Sequence, residues 1–472
     1  MTESSKPISL CQMLHQGKSF LVTGHLGQAE YVTAQEWKAL TMMEGFYTCE
    51  EIAASAGLPV NSLLELCARL EAGGYVTDLD RWNRLSWCPE CRVYVLSQQR
   101  VCKCGRTADK VELMPPCDTW ILFPEEHQTV RELAHSRLGL EIREDAFLLG
   151  NWGVKGTIPF WEIVLEGRVI LRVFFEGLDR GTWRVTAGES LPHTNSGGRA
   201  AGERTSAGQS GVGYTTETNE YISLLVEHNR HDLDSLIRRS LAIIETTFGL
   251  FPSLPLVYFS GGKESVVMAH LMGKLGIECN LLFVATGMDQ PDDVRFFHEV
   301  VAPWSRQYDR FHLHVFTQDG SRFLALAREN GVLSSKNPWC RTKIKMPLKH
   351  KATSAIYGSQ YFTAYEGSRK YETNYRRRYA TVNFPKNYPN QVWVHPIADW
   401  TGLEVWLYLL HNRLPVSPVY LKGFQKTTCW CCPLVQPYHL ERSRALYPEL
   451  WASLDNMDLV GFEDRDSVEI PY

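Results

Sequence analysis

Between residues 255 and 330, three short apolar runs, LPLVYF, NLLFVAT and HLHVFT, alternate with three helix-patterned stretches, KESVVMAHLMGKLG, PDDVRFFHEVVAPW and SRFLALAREN. This alternation leaves few solutions. Strands joined through helices lie parallel, and the helices then cover the sheet. The expected fold class is α/β, a doubly wound parallel sheet, for a domain spanning residues 214–472. The whole chain has 472 residues, which at roughly 150 residues per domain leaves room upstream for further units.

Those units read as three small modules and a linker. Residues 1–80 carry helical patterning over 34–45, 49–58 and 60–72, then Gly73-Gly74-Tyr75-Val76 as the start of a hairpin. This order resembles a winged helix-turn-helix. Residues 81–116 hold Cys88 and Cys91 as C-x-x-C, then Cys102 and Cys104 as C-x-C, on either side of the strand-like VYVL. Two close thiol pairs of this kind suit four-thiolate zinc, so a zinc ribbon with a structural zinc is expected. Residues 117–190 are β-rich, and 191–213 are Gly/Ser/Thr-rich with few apolar residues, the composition of a flexible linker.

Composition excludes several classes. At 44% hydrophobic and 22% charged residues the chain is not a disordered polymer. No apolar run reaches the length of about 18 residues that a spanning helix needs, and the first residues lack a signal-peptide pattern. A cytoplasmic protein with no membrane partner is expected. Thirteen cysteines in that setting point to metal or redox use rather than disulfides. Residues 335–390 contain twelve lysines and arginines against two glutamates, although the whole chain carries a net charge of -4. That local excess points to a polyanion: nucleotide phosphates, nucleic acid or both.

The chemistry concentrates at Ser260-Gly261-Gly262-Lys263-Glu264-Ser265, at the first strand-to-helix junction. Glycines let the backbone approach a phosphate, the helix N-terminus offers N–H groups, and Ser260, Lys263 and Ser265 add donors. The Walker pattern is absent. The loop instead resembles the SGGKDS loop of the adenine-nucleotide alpha-hydrolase superfamily, the ATP pyrophosphatases, with Glu264 in place of aspartate. Further matches follow in order: FVATGMDQPDDV (283–294) with Thr286, Gly287, Asp289 and Asp292; NPWCRTKIKMPLK (337–349) with Arg341 and Lys343; EGSRKYETNYRRR (366–378) with Gly367, Arg369 and Glu372, where Thr373 replaces serine; and HPIADWTGLEVWLYLLHNRLPVSPVYLKGF (395–424). Together, over about residues 252–440, they resemble the PAPS-reductase-like family. The stretch FFEGLDRGTWRV is similar to the RNA-binding PUA-type modules attached to some of its members.

The resemblance implies an adenine nucleotide, ATP with Mg²⁺, bound by residues 260–265, Thr286, Gly287, Asp289, Arg341, Lys343, Gly367, Arg369 and Glu372. Lys263, Ser260, Ser265 and Arg369 are the catalytic candidates, with Lys263, Arg341, Lys343, Arg369 and the Arg376–Arg378 run neutralising phosphate charge. Asp289 or Asp292 is a candidate Mg²⁺ ligand; Asp399, Trp400, Trp406 and Tyr408 read as support and core. Cys340 with Cys429, Cys431 and Cys432 looks like a ligand set for a 4Fe–4S cluster; zinc or a redox pair are the alternatives.

The chain departs from the reductases in one respect: their C-terminal E-C-G-L-H element has no counterpart after Cys432. The expected function is therefore ATP pyrophosphatase chemistry, with adenylation of an acceptor, release of pyrophosphate and sulfur transfer. Sulfur-inserting enzymes of nucleic-acid modification, such as the DNA phosphorothioation type, are closest in kind. Nucleic acid or a sulfur-donor protein such as a cysteine desulfurase would be the partner. A sulfonucleotide (PAPS or APS) reductase or sulfotransferase is the first alternative, and a nucleotide-sensing nucleic-acid-binding protein without turnover is the second.

Overall fold

A computed structural model describes residues 1–455 except 17–18, 24–28, 156–157, 176–182, 189–215, 252, 332, 335–336 and 374. The linker expected at 191–213 and the C-terminal tail lie outside the described residues, as does part of FFEGLDRGTWRV.

In the N-terminal unit, helices Ala34–Met42 and Cys49–Ala56 begin at Thr33 and Thr48. Each of these threonines forms a capping box with the glutamate three residues on, Glu36 or Glu51. Helix Val60–Ala72 follows, its buried face formed by Leu63, Leu66, Cys67 and Leu70. The region is not wholly helical. Strands Gln12–Gln16, Ser19–Thr23 and Ala29–Val32 form a three-stranded antiparallel sheet before the first helix. The Gly73-Gly74 turn does not open a local hairpin either: Val76–Asp78 pairs back with Pro7–Ser9. The unit has its own core, in which Val22 and Val32 pack with the three helices.

Strands Ser86–Cys88, Val93–Val95 and Asp109–Lys110 form a small antiparallel sheet around the four upstream cysteines. Next comes a five-stranded antiparallel sheet with edges at Asp118–Ile121 and Arg184–Ala187, and helix Pro124–Leu138 follows its first strand. Helices Thr216–His228 and Arg230–Leu250 then lead into the α/β domain. At their junction the buried Asn229 donates to the Tyr94 carbonyl at 2.9 Å and accepts from the Leu96 amide at 2.7 Å. The cysteine-bearing sheet is thereby fixed to this helical pair.

In the α/β domain the strands lie in the order Phe311–Thr317, Cys279–Ala285, Leu256–Tyr258, Phe362–Tyr365, Gln391–Val394, Val382–Asn383. All pairs are parallel except the last. Alternate residues face opposite sides, as the strand period of two demands. Leu256 and Leu282 pack with Ala352 and Tyr357 of helix Met346–Tyr357, while Val257, Leu281 and Phe283 join Val266 and Met268 of helix Lys263–Lys274. Helices therefore cover both faces, and the domain is doubly wound as the sequence pattern implies. The order reverses at the central strand. The second and third strands continue to one side of Leu256–Tyr258, and Phe362–Tyr365 lies on the other. Ligands of such sheets bind beyond the carboxyl ends at this reversal. Both flanking strands run there into motifs singled out above, Ser260-Gly261-Gly262 and Gly367-Ser368-Arg369.

One apolar core runs without interruption from Leu79 and Trp82 through Trp120 and Trp161 to Trp406 and Tyr438. The cysteine-bearing sheet, the five-stranded sheet and the α/β domain are thus packed as one body. Among the described residues no helix is long and apolar enough to cross a membrane.

Candidate functional site

At the reversal point Gly261 takes a positive φ of 78°, and a Cβ on Gly262 would come within 2.5 Å of the Thr427 hydroxyl oxygen. The first glycine makes the turn, and the second admits the loop from above. The Gly262 amide donates to Ser260 Oγ at 3.3 Å, and Ser265 Oγ donates to the Gly262 carbonyl at 2.9 Å. Gly262 has no side chain to cap helix Lys263–Lys274, and the Lys263 amide donates instead to the Tyr420 hydroxyl at 3.0 Å.

A cavity opens beside this loop. It is lined by Ser260, by Phe283, Val284 and Thr286 from the end of the second strand, and by Asp289, Asp293 and Val294. Lys345 and Lys349 line it from the helix that crosses to the fourth strand, and Thr427, Thr428 and Cys429 complete the wall. Asp289 Oδ2 accepts from the Thr286 amide at 2.6 Å and its hydroxyl at 2.9 Å. Asp289 also forms a β-bridge with Cys429. Gly287 turns at φ 77° because a Cβ there would meet the Gly320 amide nitrogen at 2.6 Å.

Of the residues singled out in the sequence, Ser260, Thr286, Asp289 and Cys429 line this cavity. Several others face elsewhere. Lys263 is buried beneath the loop, with Nζ 2.9 Å from the Gln425 carbonyl and 3.0 Å from Glu264. Arg369 is 2% exposed and saturated by carboxylates: Asp118 at 2.7 and 3.1 Å, Glu264 at 3.1 Å and Glu372 at 3.8 Å. Burial acts to raise the Glu264 carboxyl, but Lys263 and Arg369 override it and hold the group at about 2. Lys263 and Arg369, expected to meet phosphate, are thus each paired with internal carboxylates in this structure. Gly367 permits the contact, since a Cβ there would lie 2.6 Å from Glu264 Cβ.

Arg341 and Lys343 are exposed and do not line the cavity. The Arg376–Arg378 run divides: Arg376 pairs with Glu372, while Arg377 is fully buried and donates to the Ser9 carbonyl of the N-terminal unit at 3.1 Å. Asp292, one of the two Mg²⁺ candidates, is occupied by Arg295, Lys422 and the Tyr447 hydroxyl. Asp399 pairs with Lys370 at 2.7 Å, and Trp400, Trp406 and Tyr408 are core.

Sequence reasoning missed three charged lining residues. Lys345 and Lys349 stand one turn apart on one helix face, in step with Arg341, and that spacing was the available signal. Asp293 accepts from Ser417 at 2.6 Å through Oδ1, while its buried Oδ2 has no hydrogen-bond partner. Burial, reinforced by Asp289 and Asp292, pushes this carboxyl up to about 7.

The four upstream cysteines converge: the sulfurs of Cys88, Cys91, Cys102 and Cys104 all lie within 4.8 Å of one another, with Cys88 and Cys104 3.7 Å apart. Tetrahedral thiolates on a zinc at 2.3 Å would be about 3.8 Å apart, so this set can hold a metal of that kind. Replacing Cys88 by serine is expected to release the metal and lower the thermal midpoint; metal analysis and thermal unfolding of the full chain check both. The downstream cysteines are arranged differently. Cys429 lines the cavity, Cys340 and Cys432 are half-buried nearby, and Cys431 is fully buried in the adjoining core. Among the described residues only the upstream set gathers three or more ligands within 4.8 Å of one another. Burial pushes the Cys429 thiol up to about 12 against the opposing ammonium of Lys345.

His395, which opens the H-P-I-x-D-W segment, is wholly buried, and among the described residues neither ring nitrogen has a hydrogen-bond partner. Burial lowers its pKa to about 4. Between pH 6.5 and 4 the unfolded chain binds a proton here that the native state refuses, so stability falls as pH falls through that window. His395→Gln is expected to shrink the loss of thermal midpoint between pH 7 and pH 5, measured on both proteins.

The doubly wound sheet, the glycine turn at its reversal and a cavity faced by Lys345 and Lys349 define the class. Comparison with known proteins agrees. Residues 255–435 match the family model of the phosphoadenosine phosphosulfate reductase domain, so the α/β domain is similar to that family. An uncharacterised protein of Methanocaldococcus jannaschii is 23% identical over 450 residues, covering 79% of this chain and 91% of that protein. Similarity also extends to an adenosine 5′-phosphosulfate reductase of Anoxybacillus flavithermus, 22% identical over 47% of this chain and 89% of that protein. A sulfate adenylyltransferase subunit 2 of Streptomyces lavendulae is 24% identical over 44% of this chain and 69% of that protein.

Proposed function

We propose that the α/β domain cleaves ATP between the α- and β-phosphorus to adenylate an acceptor oxygen, releasing pyrophosphate, and that sulfur then displaces AMP. One observation carries this reading: the phosphate-type loop at Ser260 and the cysteine at 429 line a single cavity. An acceptor activated there meets sulfur without leaving the site. Lys345 and Lys349 supply charge for the departing pyrophosphate, and Asp289 with Asp293 supplies carboxylates for Mg²⁺. Cys340, Cys429 and Cys432, gathered around one cluster of buried residues, would be the ligands of a 4Fe–4S cluster, with one thiolate on each of three irons. Bound there, such a cluster would hold or relay the sulfur. In the upstream set the resident metal would be zinc with a structural role. The exposed cations of the stretch over 335–390, Arg341 and Lys343 among them, support a nucleic acid as acceptor.

The similarity to an adenosine 5′-phosphosulfate reductase supports a second reading, in which a sulfonucleotide occupies the cavity and thiols reduce its sulfonate to sulfite. Calorimetric titration separates the two. The first reading expects MgATP to bind more tightly than adenosine 5′-phosphosulfate or its 3′-phosphorylated form. Tighter binding of either sulfonucleotide would favour the second.

A further inference from the structure

We infer that Asp118, in the five-stranded sheet of the N-terminal half, is a positioning residue for the phosphate loop. The inference rests on the reading of Ser260–Ser265 as that loop. Asp118 lies 251 residues from its main partner and far outside the stretch that matches the family model. Its two oxygens accept from both terminal nitrogens of Arg369, at 2.7 and 3.1 Å, and Oδ1 also accepts from the Gly402 amide at 2.6 Å. The same guanidinium donates through Nε and Nη2 to Glu264 Oε1, at 3.2 and 3.1 Å. Glu264 is in the first turn of the helix that the loop opens. Asp118, Arg369 and Glu264 therefore form one continuous strut, through the buried guanidinium, from the N-terminal sheet to the loop.

Three features show that the strut is built into the fold. Two-pronged carboxylate–guanidinium pairing fixes orientation as well as distance. Gly402 has no room for a side chain, since a Cβ would lie 2.7 Å from the Thr119 carbonyl oxygen and 3.2 Å from Asp118 Oδ1. Finally, glutamate stands at 264 where the related loop has aspartate, and the extra methylene carries the carboxylate to the shared guanidinium. Neighbouring contacts brace the same region: Arg84 pairs with Glu404 at 2.8 Å, and Trp82 stacks on Tyr371 at 4.2 Å. The N-terminal half is thus part of the framework that sets the loop's position, in addition to whatever it binds.

The test uses the full-length chain and hydrogen–deuterium exchange of peptides spanning residues 259–268. Asp118→Asn removes the charge at constant size. Its loop amides are expected to exchange about tenfold faster, the factor for one lost charge-assisted hydrogen bond, with bound metal retained. Glu264→Asp withdraws the carboxylate from the other end of the strut and is expected to give the same acceleration. The double variant should gain little more, because each change breaks the same connection. Exchange that is unchanged in the loop, or that adds fully in the double variant, overturns the inference. If Asp118→Asn fails to fold, Glu264→Asp alone decides, and the inference fails if loop exchange stays at the wild-type rate. Titration with MgATP is read in parallel: the variants should bind about tenfold more weakly. If the wild-type chain binds no nucleotide, the functional reading fails while the exchange result still decides the strut.

Discussion

Replacing Lys345 by methionine is expected to lower the rate of ATP cleavage about a hundredfold or more, the usual cost of removing one preorganised donor from a site of developing charge. The side chain is half-buried at the cavity wall. Cys429 foremost, with Cys432, Asp289 and Cys340, raises its pKa above the ordinary lysine value against the opposing effect of burial. Its ammonium faces the space that joins loop and cysteines. Methionine keeps most of the aliphatic volume, so the thermal midpoint should move little. The check is a rate measurement at saturating MgATP alongside thermal unfolding. A rate within a few-fold of wild type would remove Lys345 from the machinery and leave Lys349 as the cavity's cation.

Arg369→Leu is expected to act through stability. The guanidinium neutralises Asp118 and Glu264 and approaches Glu372. Leucine would leave these carboxylates facing one another with little solvent. Breaking a buried ionic set from one side costs about 3–5 kcal/mol, which urea unfolding of the variant would register. Arg369→Lys should recover only part of the loss, because a single ammonium cannot reproduce the two-pronged contact with Asp118 and still reach Glu264. Wild-type stability in the leucine variant, with nucleotide binding lost, would mean that Arg369 leaves its carboxylates to meet phosphate.

These two residues mark the boundary of what the sequence reveals. The parallel sheet was legible because its strands are short apolar runs separated by helical periods, and the loop because Ser-Gly-Gly falls at a strand-to-helix junction. The four upstream cysteines were legible from spacing alone, since C-x-x-C and C-x-C leave little freedom in where the sulfurs go. Charge was not legible in the same way. Lys263 and Arg369 look like phosphate ligands in a linear reading, but each meets an internal acceptor, and the acceptor for Arg369 is Asp118, in another sheet. The twelve cations of residues 335–390 likewise divide by tertiary position: Lys345 and Lys349 enter the cavity, while Arg377 anchors the N-terminal unit through Ser9. The three strands over 12–32 were missed because segments such as QMLHQ have mixed polarity and no strong period, and pairing between neighbours supplies what propensity does not. Asp293 sits beside two other aspartates, and only tertiary partners distinguish it: Arg295 and Lys422 take Asp292, while Asp293 faces Ser417.

The central claim is cleavage at the α-phosphorus, and the most direct measurement is a product analysis of anaerobically prepared full-length protein with MgATP, in the presence and absence of nucleic acid. AMP and pyrophosphate in equal amounts are predicted. ADP with phosphate would contradict the account, and so would intact ATP together with sulfite released from a sulfonucleotide by a thiol reductant.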